Sequence, residues 1–258
     1  MKIKILILFL FGAFLLSCND INDDIETQAD KLYLPTILSG DGLVITLTYD
    51  NLSRIVQLGE VADNGEFARL YTFYYTGDKL TSAHANYFSI AVEGGYNYSE
   101  NFKFEYVDDK VLIEESFLDS SGYEFVTNKV IYIDERENLL KGDGLELFYD
   151  ERGNIIKAIE NGNVTDVSYD QKKGAFLNVK TPTWALYYIM KLGNFYRINN
   201  PIRVHGFLVG TDTEIEIMRE FKYNGSGYPV KFSEVTTDED DSITNRDFII
   251  EYLRIYED

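Results

Sequence analysis

Hydrophobic and polar residues alternate along most of this 258-residue chain, and short polar turns break the alternation again and again. The segments ITLTYDNLSRIVQL from Ile45, YTFYYTGDKLTSA from Tyr71 and FKFEYVDDKVLIEE from Phe102 alternate into a tyrosine, cross a few polar residues, and resume with Ile, Leu or Val. The order recurs in KVIYIDERENLLK from Lys129, LELFYDERGNIIKAIE from Leu145, VTDVSYDQKKGAFL from Val164 and REFKYNGSGYPVKFSEV from Arg219, and FIIEYLRIYED closes the chain. A period of two sets one side of a strand on a core and the other in water. Asp, Asn and Gly supply the positive φ angles and local side-chain bonds of tight turns. The aromatic ahead of the turn packs cross-strand on the aliphatic behind it. Each copy is predicted to be a β-hairpin, so seven turns predict fourteen or more strands in an antiparallel meander.

The expected fold is a single all-β domain over 33–258, one long curved sheet or an incomplete barrel. Curling would shield edges that a many-stranded open sheet exposes. The interruption between Gly174 and His205 has a different texture. Thr181-Pro182-Thr183 reads as a cap and first-turn proline, and Trp184, Tyr187, Tyr188 and Lys191 follow at helical spacing before Gly193. This predicts a short helix near 182–192 that plugs one end or face of the sheet. Trp184, Tyr187 and Tyr188 then have two roles open to them, completing the core or forming a platform for a sugar ring or apolar ligand.

The first residues depart from the strand pattern. Lys2 and Lys4 precede an apolar run from Ile5 to Leu16, broken only by Gly12, as in a secretory signal. A helix of that length spans ~18 Å, short of the ~30 Å hydrocarbon core. Leu15-Leu16-Ser17-Cys18 resembles a lipobox, which implies cleavage after residue 17 and acylation of Cys18. Several acyl chains on one residue make a stable anchor, each buried CH₂ contributing ~0.8 kcal/mol. Cys18 is the sole cysteine, which leaves no thiol for a disulfide, a zinc site or a nucleophile. The acidic stretch that follows reads as a tether over 18–32. Its Asp20, Asp23 and Asp24 resemble the export signal of Bacteroidota surface lipoproteins, which implies the cell surface rather than the periplasmic face of the outer membrane.

The net charge is −19 for the whole chain and near −21 once Lys2 and Lys4 leave with the signal. This charge repels nucleic acid and anionic lipid headgroups, so the expected membrane link is the lipid anchor alone. Tyr149-Asp150 followed by Gly153-Asn154-Ile155 resembles a YD repeat of the Rhs type, with Tyr49-Asp50 and Tyr169-Asp170 as looser copies. With Asn199-Asn200-Pro201 after the aromatic segment, the chain resembles a family of uncharacterised Bacteroidota lipoproteins built from such hairpins. The resemblance implies a lipid-anchored β protein and carries no catalytic residues.

Candidate chemistry is sparse. His84 and His205 are the two histidines, and metalloprotease, nucleophile-elbow, phosphate-loop and dinucleotide motifs are absent. Glu114, Glu115, Glu146 and Glu160 could supply a glycosidase pair, though alternation on exposed strands yields the same letters. The acidic run at 237–241 lacks the glycine and distal glutamate of a calcium loop. Within it, Asp241-Ser242-Ile243 resembles a Bacteroidota glycosylation acceptor, making Ser242 a candidate modified residue. No cofactor, no metal and no catalytic residue is expected. The expected function is a non-catalytic surface module for a glycan, peptide or protein. The alternatives are a structural or accessory subunit of an outer-membrane complex, and a hydrolase with a carboxylate site.

Overall fold

The computed structural model describes residues 32–62, 64, 67–89, 96–119, 121–192, 197–207, 214–238 and 242–255. The leader, Cys18, the tether up to Lys31 and positions 239–241 of the acidic run lie outside the described residues. The first eight strands are β1 (Leu32–Gly40), β2 (Leu43–Tyr49), β3 (Ile55–Ala62), β4 (Phe67–Thr76), β5 (Lys79–Ser89), β6 (Tyr96–Val107), β7 (Lys110–Asp119) and β8 (Glu124–Ile133). Then come β9 (Leu139–Gly142), β10 (Leu145–Tyr149), β11 (Ile155–Glu160), β12 (Asn163–Tyr169) and the helix α1 (Thr183–Tyr188). The chain finishes with β13 (Pro201–Phe207), β14 (Glu214–Tyr223), β15 (Pro229–Asp238) and β16 (Ile243–Ile255).

The expected all-β meander is present, and it closes. Every strand pairs antiparallel with its chain neighbours, and β16 returns to β1 from Leu32↔Ile255 to Gly40↔Phe248, completing a sixteen-stranded barrel. Closure removes free edges that an open curved sheet would retain, although β9 turns back into β10 at Gly142 and Leu145, so that among the described residues positions 124–130 of β8 pair with β7 alone.

Four of the turns at one end share a single design. The Asp or Asn after the last strand residue exchanges bonds with the residue four positions on: its N–H donates to that residue's carbonyl, and its Oδ1 accepts that residue's N–H. The pairs are Asp50 with Arg54, Asp134 with Asn138, Asp150 with Asn154, and Asn224 with Tyr228. The third position of each turn has a positive φ, taken by Gly153 and Gly227 and also by Ser53 and Glu137. At Asp150, partial burial would raise the carboxyl. The Asn154 side chain and the N–H groups of Asn154, Gly153 and Arg152 more than offset this and hold it below the ordinary carboxylate range. Such a group stabilises the fold above its unfolded pKa and loses that contribution as pH falls through the depressed folded value.

The tyrosine before each turn reaches sideways. Tyr49 donates its hydroxyl to the Pro35 carbonyl (2.5 Å), Tyr75 to Ile55 (3.0 Å), Tyr149 to Leu139 (2.7 Å), Tyr169 to Ile155 (2.8 Å) and Tyr252 to Pro229 (2.7 Å). Ile55, Leu139, Ile155 and Pro229 each begin a returning strand and Pro35 lies within β1, and at each of them the register slips by one residue. One copy was expected wrongly. Tyr132 is not the turn-facing aromatic of its hairpin; Ile133 takes that place, pairing with Leu139, and Tyr132 lies between Lys110 and Lys141.

The copy at Tyr169-Asp170 is not a hairpin. Asp170 exchanges the same pair of bonds as the other turns, but with Asn200, and Tyr169 pairs with Pro201. Residues 171–199 are inserted inside that turn, and the described part of them folds into the barrel. Lys180 N–H donates to Ser53 O (3.0 Å) and Trp184 N–H to Glu137 O (3.1 Å). Thr181 Oγ1 accepts the Ile55 N–H (2.8 Å), so this residue satisfies β3 rather than capping α1, whose N-cap is Pro182. Phe176, Val179, Trp184, Ala185 and Met190 join Leu58, Phe104, Ile113, Ile131 and Leu139 in one core. The plug was expected; its place inside a turn was not.

Tyr149→Phe should lower unfolding stability by about 1–2 kcal/mol, because the part-buried Leu139 carbonyl loses its donor. Urea denaturation of the two proteins checks this, and equal midpoints would show that the hydroxyl does not matter.

Candidate functional site

Counting inward-facing positions away from the turn end, each strand runs from apolar to charged at a similar depth. On β3 Leu58 is followed by Glu60; on β4 Phe73 and Tyr71 lead to Arg69; on β5 Ala85 leads to Tyr87. On β6 Phe102 leads to Glu100 and Tyr98, on β7 Ile113 leads to Glu115 and Phe117, and on β8 Ile131 leads to Lys129, Thr127 and Phe125. The half of the barrel away from the plug is therefore a polar lumen. Its groups remain reachable by water: the inward side chains of Lys129, Arg69 and Glu115 are 32%, 25% and 24% exposed. This end is the barrel's mouth, and most of the connections that cross it, at 90–95, 208–213 and 239–241 among others, lie outside the described residues.

The lumen groups form a relay that crosses the wall. Arg69 Nη1 lies 3.2 Å from Glu60 Oε2 and donates to the Tyr71 hydroxyl (3.3 Å). Tyr71 and Tyr87 share a hydrogen bond (3.0 Å), and Tyr87 donates to Glu100 Oε2 (2.6 Å). Further round, Lys129 Nζ bridges Glu115 (2.9 Å) and Asp143 (3.5 Å), and the Tyr188 hydroxyl of α1 donates to Asp143 (3.2 Å). Burial pushes Glu100 above the ordinary carboxylate range; Glu115 adds to this, while Tyr87, Arg69 and Lys129 oppose it. Burial likewise raises Glu60 against the pull of Arg69. Burial pushes the Tyr188 hydroxyl up to about 12, with Lys129 opposing and Asp143 reinforcing the shift. A second set sits across the barrel: buried Arg219 bonds Glu234 (2.8 Å), and Arg246 joins Glu234 to Asp41.

An aromatic strip lies one layer nearer the rim. Tyr98 stacks on Tyr87, with centroids 4.0 Å apart, and tilts against Phe117 at 4.9 Å. Phe117 pairs across the sheet with Phe125, which faces inward and is 53% exposed.

The candidates from the sequence are scattered. Trp184 is fully buried, its ring edge-on to Phe104 and Tyr106, where a ligand could reach it only by unpacking the core. Tyr187 and Tyr188 are partly buried beside the same core, and only Tyr188 joins the lumen groups. Among the proposed carboxylates, Glu115 points into the lumen, Glu114 points outward to Lys103, and Glu146 is exposed on β10. Glu160 ends β11 and acts on Lys191. His84 lies on the outer wall between Asn101 and Asn86, and His205 faces Glu214 there. Ser242 is exposed at the β15–β16 tip, its hydroxyl donating to Asp238. Among the described residues no cluster of metal-ligating side chains occurs. Arg69, Glu100, Lys129, Phe117 and Phe125 went unnoticed from the sequence. The usable signal was parity: charges recur on the core-facing side, six residues before Tyr75 and Tyr106 and four before Ile133.

The outer wall is mixed. Exposed Leu70, Val130, Phe148, Met218 and Ile249 share it with ion pairs set within strands, Lys103–Glu114, Arg203–Glu216 and Lys231–Asp247. A membrane-spanning barrel presents a continuous apolar band outward, and Arg or Lys at its midplane costs about 2–4 kcal/mol each. Among the described residues no helix is long and apolar enough to cross a membrane.

No protein family and no curated protein matches the chain. Among solved structures it is similar to a porin-like protein from Bacteroides vulgatus ATCC 8482, with 15% identity, a TM-score of 0.45, and coverage of 85% of this chain and 99% of that one. It is also similar to a porin-like protein from Bacteroides uniformis ATCC 8492, with 8% identity, a TM-score of 0.32, and coverage of 86% and 96%. Likeness this distant assigns no role to any residue here.

Trp184→Ala should cost about 3–5 kcal/mol of stability through lost core packing, read as an earlier urea midpoint. A folded variant of unchanged stability would remove Trp184 from the core. Glu100→Gln should raise the melting temperature at pH 7, because ionising a carboxyl whose pKa is raised in the fold costs stability once pH passes above it. The gain should shrink towards pH 4, where wild-type Glu100 is protonated; a gain of equal size at both pH values would mean the charge plays no part.

Proposed function

We propose that this chain is a lipid-anchored outer-membrane protein whose barrel stands in water as a non-catalytic binding module at the cell surface. The observation that carries the reading is the distribution of polarity. Apolar packing and the plug fill one end of the interior, charged groups line the mouth at the other, and ion pairs lie on the outer wall. Such a wall favours water over lipid, so attachment falls to Cys18 and its acyl chains. β1 begins at the plugged end, so a tether to Cys18 joins there and leaves the mouth facing away from the membrane.

One feature favours a second reading, hydrolysis: Glu100 is held above its ordinary range beside Glu115. Turnover of a bound ligand that vanishes in Glu115→Gln would replace the binding reading.

Protease shaving of intact cells, with a periplasmic control protein, tests the first reading. The wild-type chain should be degraded while the control survives, and Cys18→Ala should release the chain from the membrane fraction. Full protection of a chain that is cleavable when purified would place it on the periplasmic face. Membrane retention of Cys18→Ala would overturn the lipid anchor.

A further inference from the structure

The mouth has a chemistry that selects among ligands. We propose that it is a carbohydrate site that takes a neutral sugar, the ring lying on Phe125 and Phe117 and the hydroxyls meeting Glu115, Lys129 and Thr127. This rests on the binding reading above and names its ligand class.

Three observations favour that ligand. The first is the aromatic strip. Phe125 lies on the inner face of the wall yet is half exposed, in register with Phe117, which in turn meets Tyr98. An aromatic face open to water suits the C–H face of a pyranose, with apolar contact beside polar groups. The second is the layer directly beneath. Thr127 Oγ1 and Lys129 Nζ both reach Glu115 Oε2, at 3.4 and 2.9 Å, so donor and acceptor atoms lie side by side two residues below Phe117 and Phe125. Neighbouring hydroxyls of a sugar each donate and accept, and such a pairing serves both.

The third observation is what the wall excludes. On the relay side Glu60, Glu100, Glu115, Asp143 and Glu160 face Arg69, Lys129 and Lys191, so carboxylates outnumber cations and an anionic ligand is disfavoured. Arg69 and Lys129 are already engaged by carboxylates. A wholly apolar ligand would strand the charged layer without water. A neutral polyhydroxylated ring meets none of these objections.

The test uses the mature lipoprotein in detergent, titrated calorimetrically with neutral glucan, mannan, galactan and xylan oligosaccharides. Oligogalacturonate and chitosan oligomers provide the anionic and cationic comparisons. At least one neutral oligosaccharide should bind, and bind more tightly than either charged one. Phe125→Ala and Glu115→Gln should each weaken that binding tenfold or more. Both residues are water-exposed to some degree, and an unchanged urea midpoint shows that each variant is folded. No binding by any neutral sugar, preference for a charged one, or affinity unchanged in both variants would overturn the proposal. Surface display without sugar binding would remove this inference alone, while sugar binding by a chain that shaving cannot reach would remove the surface reading alone.

Discussion

A closed ring of sixteen strands must have its register fixed from within, and at the plugged end tyrosines near the turns help to do this. Each returning strand that follows such a turn carries one extra residue just after its first position: Val56 after Ile55, Leu140 after Leu139, Ile156 after Ile155. A bulge of this kind leaves a backbone group outside the ladder, and a part-buried carbonyl without a donor is costly. Tyr75, Tyr149, Tyr169 and Tyr252 supply that donor, to the carbonyls of Ile55, Leu139, Ile155 and Pro229. Not every hairpin does so. Tyr223, which follows the slip at Pro201, donates to Asp170 instead. The β6–β7 hairpin has no bulge, since Tyr106↔Val111 and Val107↔Lys110 run on without a slip, and the next pre-turn position is Ile133, which has no hydroxyl to offer.

The same geometry explains how a long insert fits without breaking the ring. A turn closed by Asp and the residue four positions on is held by backbone and Oδ bonds at its two ends, so its interior can be lengthened if the ends still meet. Asp170 and Asn200 meet in this way, and Asn199 adds a two-way exchange with Asn154 of the neighbouring turn. The inserted chain is then gripped by carbonyls aimed inward. Two of them, at Ser53 and Glu137, belong to residues in the left-handed region, where a side chain costs about 1–2 kcal/mol. A backbone conformation that glycine would adopt more readily is retained there by residues whose carbonyls hold the plug.

Strands and turns were legible in the sequence because they are local: alternation and Asp-rich turns act over a dozen residues. Closure was not, because β1 meets β16 across the whole chain and nothing in either strand marks its partner. The insert was misread because Tyr169-Asp170 is chemically the same turn start as Tyr149-Asp150; only the residue that completes the turn differs, and it lies thirty positions on. Asn199-Asn200-Pro201 looked like a family mark, and it is the returning half of that turn. Trp184 drew notice as the sole tryptophan, yet its size suits it to filling the barrel. The mouth was overlooked because Glu100 or Lys129 on a strand reads as solvent-facing until its parity is counted from the turn.

These features together decide what kind of barrel this is. Sixteen strands enclose a lumen wide enough for an aqueous channel when side chains alone line it. Here the plug and the large aromatics fill the end where the tyrosines fix the register, so a ring that could have been a pore becomes a cup with a packed floor. The floor supplies the apolar burial that a folded chain needs, and the outer wall carries ion pairs such as Lys103–Glu114. The floor also leaves the inner wall near the rim free of packing duties. There, charged and aromatic side chains such as Glu115, Lys129 and Phe125 occupy core-facing positions while staying partly exposed, and a ligand could supply the contacts that the floor supplies below.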